Sequence, residues 1–200
     1  MPTELATRIG FPQVERTMQV HKRKRYPAEP QTLSEFKEKM NSCDNKDFTA
    51  HYKGSVELEN GIIVGFIFFD EEICENFNFE DVSYDGTFQS VPNLFGQLFI
   101  IAGKKRSRYI PLIHALLVGK SEQIYIAMLT KIELLLPNFK PLRSISDFEK
   151  GSRNAFRTVF NVENCQGCLF HWVKIVDRVI GVVGLSNPAK NNEDFKLFFK

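Results

Sequence analysis

The sequence has no long hydrophobic run. Its longest mostly apolar stretch, Gly61 to Phe69, is nine residues, whereas a membrane-spanning helix needs about 20. The first thirty residues contain no apolar core of the kind that marks a secretory leader, so the chain reads as soluble and intracellular. Cysteine is scarce, with four in 200 residues, and without a secretory signal a disulfide scaffold is not expected. Twelve glycines and nine prolines are too few for a collagen or a low-complexity chain. There is no internal repeat, which excludes solenoid and propeller arrays.

What is present is an ordinary globular composition. Hydrophobic residues make up 43% and charged residues 25%, and 19 phenylalanines promise a substantial core. The length suits one domain, or one domain with a tail. The net charge of +2 is unevenly spread. Residues 1–25 hold six Lys/Arg against two acids (net +4), residues 26–80 hold four against twelve (net −8), and residues 81–200 hold sixteen against ten (net +6). A basic part behind an acidic segment is compatible with a nucleic-acid partner. Ordinary solvated surface charge accounts for the same numbers.

The pattern divides the chain into three stretches. Residues 1–30 lack periodicity and contain His21-Lys22-Arg23-Lys24-Arg25 followed by Pro27 and Pro30, which reads as a flexible basic arm. Residues 31–80 form a helix and hairpin segment: a short helix over 32–40 with Ser34 as N-cap, two strands flanking the hairpin signal Asn60-Gly61, and a short helix from Asp70. Residues 81–200 begin with three consecutive strands, at 82–88, 94–103 and 109–119. Pro111 lies inside the third, which should therefore lie at an edge or carry a bulge. Residues 121–136 then switch to helical period, with Ser121 as N-cap and Pro137 after the last turn. A strand at 142–147, a helix at 148–160 with Phe148, Ala155, Phe156 and Val159 inward, a strand at 166–170, a helix at 171–185 and a last short helix complete the reading. The order β-β-β-α-β-α-β-α predicts an α/β fold, a mixed sheet with helices on both faces.

Two aspartates close predicted strands. Asp85 stands just before Gly86, and Asp147 ends the strand that opens the second alternating unit. Ligands of open α/β sheets gather at the carboxyl ends of strands. Carboxylates there suit Mg²⁺, which takes few carboxylates and fills its shell with water and phosphate oxygens, and two such ions serve phosphodiester chemistry. Asp147 also reads as a simple helix cap. Cys165, Cys168 and His171 follow as CxxC and CxxH, donors that suit zinc. A structural site wants a fourth ligand, and His114, the nearest in kind, sits in an apolar strand. Buried thiols with a helix-capping histidine are the competing reading.

Five segments together carry a family resemblance: YDGTF (84–88), QLFIIAG (97–103), IPLIHALL (110–117), SDFEKGSRNAF (146–156) and QGCLFHW (166–172). In order and spacing they resemble the transposase domain of Mutator-like elements, the MULE domain, in its insect-type arrangement. Residues 16–33 also resemble the segment that precedes this domain. The resemblance implies an RNase H-like fold whose first and fourth strands are neighbours and whose third strand is an edge. It implies a DDE site with Asp85 as first acid and Asp147 as second, Mg²⁺ or Mn²⁺ as cofactor, DNA strand cleavage and transfer as chemistry, and the nucleus as place of action. Cys168 and His171 match the family's CxxH. The family's third acid, a glutamate on a later helix, lies past the last residue given; Glu163, Asp177 and Glu193 do not match its position. The expectation is therefore a C-terminally incomplete transposase, truncated before its last catalytic helix and inactive as this chain, with a non-catalytic DNA-binding or protein-interaction remnant as the alternative. Lys22, Arg23, Lys24 and Arg25, with Lys104, Lys105, Arg106 and Arg108, are the expected phosphate contacts. No membrane partner is expected. Self-association is expected through apolar surface between Val173 and Val183.

Overall fold

Asn60-Gly61 reverses the chain between two strands of complementary pattern, β1 (Tyr52–Glu57) and β2 (Ile63–Phe69). The loop is closed by Gly61 N–H on Leu58 O (2.8 Å) and Leu58 N–H on Ile62 O (3.0 Å). Gly61 has φ +79°, a conformation that costs a residue without a Cβ nothing. In this computed structural model, which describes Arg16, Met18 and residues 29–45, 49–89 and 91–183, the remaining elements in chain order are as follows. Helix α1 (Leu33–Ser42) precedes the hairpin and α2 (Glu71–Glu75) follows it. Then come β3 (Asp81–Thr87), β4 (Gln97–Lys105), β5 (Arg108–Leu117), α3 (Glu122–Leu135), β6 (Arg143–Ser146), α4 (Lys150–Phe160), β7 (Asn164–Gly167) and α5 (Leu169–Val182). The basic arm Lys22–Arg25, the final short helix and Glu193 lie outside the described residues.

All seven strands form one mixed sheet in the order β1-β2-β5-β4-β3-β6-β7. β3, β4 and β5 run antiparallel, while β3 pairs with β6 and β6 with β7 in parallel. The fold is thus mixed α/β and compatible with an RNase H-like transposase core, with the first and fourth core strands adjacent. The expected edge strand is corrected: β5 is internal, because β2 pairs with its residues Ile113 to Leu117. The apolar β2 sequence IVGFIFF can bury both faces, so it extends the sheet rather than ending it. Pro111 is tolerated because it precedes the β2 pairing and sits where the β4–β5 register slips between Ile101 and Ala102, the bulge that a missing N–H requires.

One face of the sheet carries the main core. Tyr84, Phe99, Ile101, Ile113, Ala115 and Leu117 are buried there beneath α3 and α4. Tyr84 stacks flat on Phe156 of α4 (centroids 3.9 Å apart, 3° between planes), and Phe99 tilts against Tyr125 of α3 (5.1 Å). On the other face α1 delivers Phe36 to Phe66 (4.6 Å) and Phe95 (5.3 Å). The N-cap of α1 is Thr32 rather than Ser34: its hydroxyl accepts from Glu35 N–H at 3.1 Å, and Glu35 accepts in turn from Gln31 N–H at 2.8 Å. The start of α4 comes two residues later than expected. Helix α4 starts at Lys150, and Phe148 is exposed in the preceding loop rather than inward. Strand β7 lies two residues earlier than its predicted span and ends at Gly167, so α5 starts at Leu169. Among the described residues no helix is long and apolar enough to cross a membrane.

Phe156 is about 1% exposed and joins Tyr84 to Phe160. Phe156→Ala should cost about 3–5 kcal/mol, the transfer of a phenyl ring plus the cavity it leaves. Urea denaturation followed by tryptophan fluorescence and circular dichroism checks this.

Candidate metal and nucleic-acid site

The site is built by the parallel pairing of β3 and β6. Tyr84 stands opposite Ser146 in that ladder, and the next residues along the two strands are Asp85 and Asp147. Both expected acids therefore emerge at the same end of the sheet, at the carboxyl ends of neighbouring strands. Asp85 is exposed and Asp147 partly so. Each is steadied by a backbone N–H: Gly86 donates to Asp85 Oδ1 (2.8 Å), and Glu149 N–H donates to Asp147 Oδ1 (3.1 Å). Asp147 thus orders the loop before α4 without being its N-cap, a position held by Glu149.

The expected cysteine–histidine group divides. His171, in the first turn of α5, brings Nε2 to 3.8 Å from Asp85 Oδ2, and its Nδ1 is buried without a hydrogen-bond partner. Cys168 is the N-cap of α5, and its N–H donates to Ser146 O (2.7 Å). Cys165 points elsewhere, toward Tyr84, Ser146 and Arg153. His114, in β5, is paired with Ile100 and Phe68 across the sheet, and burial lowers its pKa. Among the described residues no three His, Cys, Asp or Glu side chains are gathered to hold a metal ion.

Lys104, Lys105, Arg106 and Arg108 surround the β4–β5 turn, where Arg106 takes φ +58°. This turn is at the opposite end of the sheet from Asp85: Lys105 pairs with Arg108, while Asp85 pairs with Ile100. Five residues of strand separate the two, roughly 17 Å at about 3.4 Å per residue. Near the acids the cation is instead Lys120, whose charge acts on Glu149 and whose ammonium lies 5.6 Å from the Phe88 ring.

A third carboxylate escaped the sequence reading. Glu149 makes no capping bond to its own helix; its Oε2 lies 3.0 Å from Tyr125 OH, which also lies 3.2 Å from Gln97 Oε1. Gln97 is fully buried, and its Nε2 donates to Gly119 O (2.7 Å) and Tyr125 OH (2.9 Å). Its amide passes directly over Gly86, where a Cβ would collide with Gln97 Oε1. A buried polar chain thus ties the segment behind Asp85 to the segment behind Asp147. The visible signal is a single glutamine at the head of an otherwise apolar strand, since a buried amide needs partners.

Burial raises the pKa of Glu149, and the negative charges of Asp147 and Asp85 add to that rise, opposed by Tyr125 and Lys120. The folded chain therefore holds this proton more tightly than the unfolded one. The associated stability is present below about pH 4.5, the ordinary glutamate value, and is lost as pH rises through the folded value. Glu149→Gln keeps an acceptor for Tyr125 and removes the charge. We expect a rise of about 2 °C in melting temperature at pH 7 that vanishes below pH 4.5. Thermal scans of both proteins across that range test it; an equal gain at pH 4 would mean that charge is not the cause.

The family model of the MULE transposase domain matches residues 82–175. No curated protein matches the chain. The matched stretch runs from β3 into α5 and contains Asp85, Asp147, Cys165, Cys168 and His171. Over residues 82–175 the chain is similar to the MULE transposase domain.

Proposed function

We propose that the chain is a transposase-derived DNA-binding protein of the nucleus whose Asp85 and Asp147 hold a divalent ion, Mg²⁺ or Mn²⁺, as the first two acids of a phosphodiester-cleaving site that the 200-residue chain does not complete. The observation that carries this reading is the adjacency of the two acids at the carboxyl ends of parallel β3 and β6 within the matched domain. The donor set fits: two carboxylates, one exposed and one partly so, at the same end of the sheet. Hard oxygen donors few in number suit Mg²⁺ or Mn²⁺, with water and phosphate oxygens completing the shell. The chemistry supplied by such an ion is Lewis-acid polarisation of a phosphoryl oxygen. Asp85 and Asp147 bind; Gly86 N–H and Glu149 N–H hold them in place; the Gln97–Tyr125–Glu149 chain keeps their two loops in register; Lys120 offers a phosphate contact at this end of the sheet.

The alternative, a non-catalytic DNA-binding or interaction remnant, is favoured by one observation: the described residues gather no third ligand with the two acids. The exposed apolar residues of α5, among them Trp172, Ile175, Val179 and Val182, support self-association in either reading.

DNA binding itself is tested by salt. Each phosphate neutralised adds about 0.9 to the log–log slope of affinity against salt on duplex DNA. Replacing Lys22, Arg23, Lys24 and Arg25 together by Ala should lower the slope by up to about 3.6 in fluorescence anisotropy titrations between low and moderate salt. A slope that does not move assigns the arm no part in binding.

A further inference from the structure

We propose that Cys165 is a modification site, a thiol that peroxides oxidise to the sulfenic form in preference to the chain's exposed thiol, Cys43. Three polar groups lie within 3.5 Å of its sulfur, and the Arg153 guanidinium is the fixed donor among them, since the Ser146 hydroxyl gives its proton to Asp147 O (3.0 Å). Arg153 Nε–H lies 3.3 Å from Sγ, and the hydroxyls of Tyr84 and Ser146 each lie 3.5 Å from it. Arg153 is itself anchored, because its Nη2 donates to Cys165 O at 2.8 Å, so the guanidinium clasps one residue through two atoms. Beside them stands Ser144, the β6 residue paired with Cys165 across the sheet. Its residue is about 1% exposed, and its Oγ has no hydrogen-bond partner. An orphaned buried hydroxyl is costly unless something takes its proton, and the neighbour that a sulfur anion or sulfenate oxygen would provide is the acceptor it lacks.

A metal cation does not suit this cluster. A guanidinium beside the sulfur repels a second positive charge, and the other three groups are hydroxyls. The arrangement instead stabilises negative charge on sulfur or on an oxygen attached to it. Burial opposes ionisation, yet the polar contacts to the sulfur, those of Tyr84, Ser146 and Arg153 among them, outweigh it and bring the thiol to about 7. By contrast, burial and the charge of Asp70 push Cys74 up to about 11. Cys165 is only partly buried, which leaves a small oxidant a path to it.

The step balances with hydrogen peroxide as oxidant. The Cys165 thiolate attacks one peroxide oxygen, an S–O bond forms, and the O–O bond breaks. The sulfur is oxidised by two electrons, and hydroxide leaves and takes a proton from solvent as water. The product oxygen forms beside the Arg153 guanidinium and the unpartnered Ser144 hydroxyl. This site stands apart from the acid pair and does not depend on the metal reading, although Tyr84 and Ser146 immediately precede Asp85 and Asp147.

The test exposes the 200-residue chain to hydrogen peroxide at pH 7 with a dimedone-type probe, and the labelling rate of each cysteine is read by peptide mass spectrometry. A guanidinium 3.3 Å from the sulfur favours the thiolate, the form that attacks peroxide, while the lower intrinsic nucleophilicity of such a thiolate offsets part of the gain. We expect Cys165 to be labelled severalfold faster than Cys43, and Cys74 slowest. Labelling of Cys43 at an equal or greater rate overturns the proposal. In Arg153→Gln, with its fold checked by circular dichroism, the Cys165 rate should fall to that of Cys43 or below. An unchanged rate in the folded variant also overturns it, because the cluster would then not be what activates the thiol. Should that variant not fold, the comparison within the unaltered chain decides alone.

Discussion

Titration of the purified chain with Mn²⁺ should give a paramagnetic binding signal that Asp85→Asn and Asp147→Asn each weaken by at least about tenfold, or 1.4 kcal/mol. The two acids contribute the protein's oxygens at this end of the sheet, and each substitution removes one negative charge without removing bulk. Asparagine retains an oxygen that can accept from the same backbone N–H, Gly86 for Asp85 and Glu149 for Asp147, so the local backbone is preserved. The effect is then electrostatic, and it should shrink as ionic strength rises. Glu163→Gln serves as the control: Glu163 is exposed beside β7 and its replacement should leave Mn²⁺ affinity unchanged. Binding that survives in both aspartate variants places the ion elsewhere and removes the basis of the functional reading. The Glu149 charge should respond as well, because a dication beside Asp85 and Asp147 offsets the repulsion that helps raise its pKa.

Much of this arrangement was legible in the residues because it rests on local signals. Ser121 caps α3, accepting from Ile124 N–H, and the helix ends before Pro137 as the stop signal requires. Asn60-Gly61 turns the hairpin. The alternation of strand and helix after residue 117 signals the crossover units, while the place of β6 beside β3 was implied by the family resemblance rather than by any local pattern. What the residues hid are long-range choices. Whether β5 faces solvent or another strand depends on where a hairpin some fifty residues earlier docks, and nothing within YIPLIHALL declares it. The buried link from Gln97 through Tyr125 to Glu149 joins three elements distant in sequence, and each of its members looks ordinary alone: a strand-opening glutamine, one more aromatic on an apolar helix stripe, and a surface-type acid. The misplaced cap of α1 was readable, since Glu35 stands three residues after Thr32, the spacing of a capping box. Cys165 and Cys168 share a motif spacing, yet β7 pairing turns one toward Tyr84 while the other caps α5; sequence spacing does not encode that divergence.

Incubated with plasmid or linear DNA and Mg²⁺ or Mn²⁺, the 200-residue chain should show no cleavage or strand transfer above that of Asp85→Ala. Two-ion phosphoryl chemistry needs both ions held in register with the attacking and leaving oxygens, and a displacement of about 1 Å can cost on the order of 100-fold in rate. Asp85 and Asp147 can anchor one ion, but a second needs a further ligand set. The described residues supply none: Glu149 is engaged with Tyr125 and repelled by both aspartates, and neither Glu163 nor Asp177 joins a metal-holding group with them. Lys104 to Arg108 cannot compensate at the chemistry, because they lie at the other end of the sheet, roughly 17 Å of strand away. DNA binding without cutting is therefore the expected phenotype, with the salt-dependent affinity intact in Asp85→Ala. Robust metal-dependent cleavage that Asp85→Ala abolishes would show that another acid completes the site. Glu149→Gln would then be the next variant to assay: loss of cleavage there, with melting temperature undiminished, would make Glu149 the group that moves onto the metal when DNA binds.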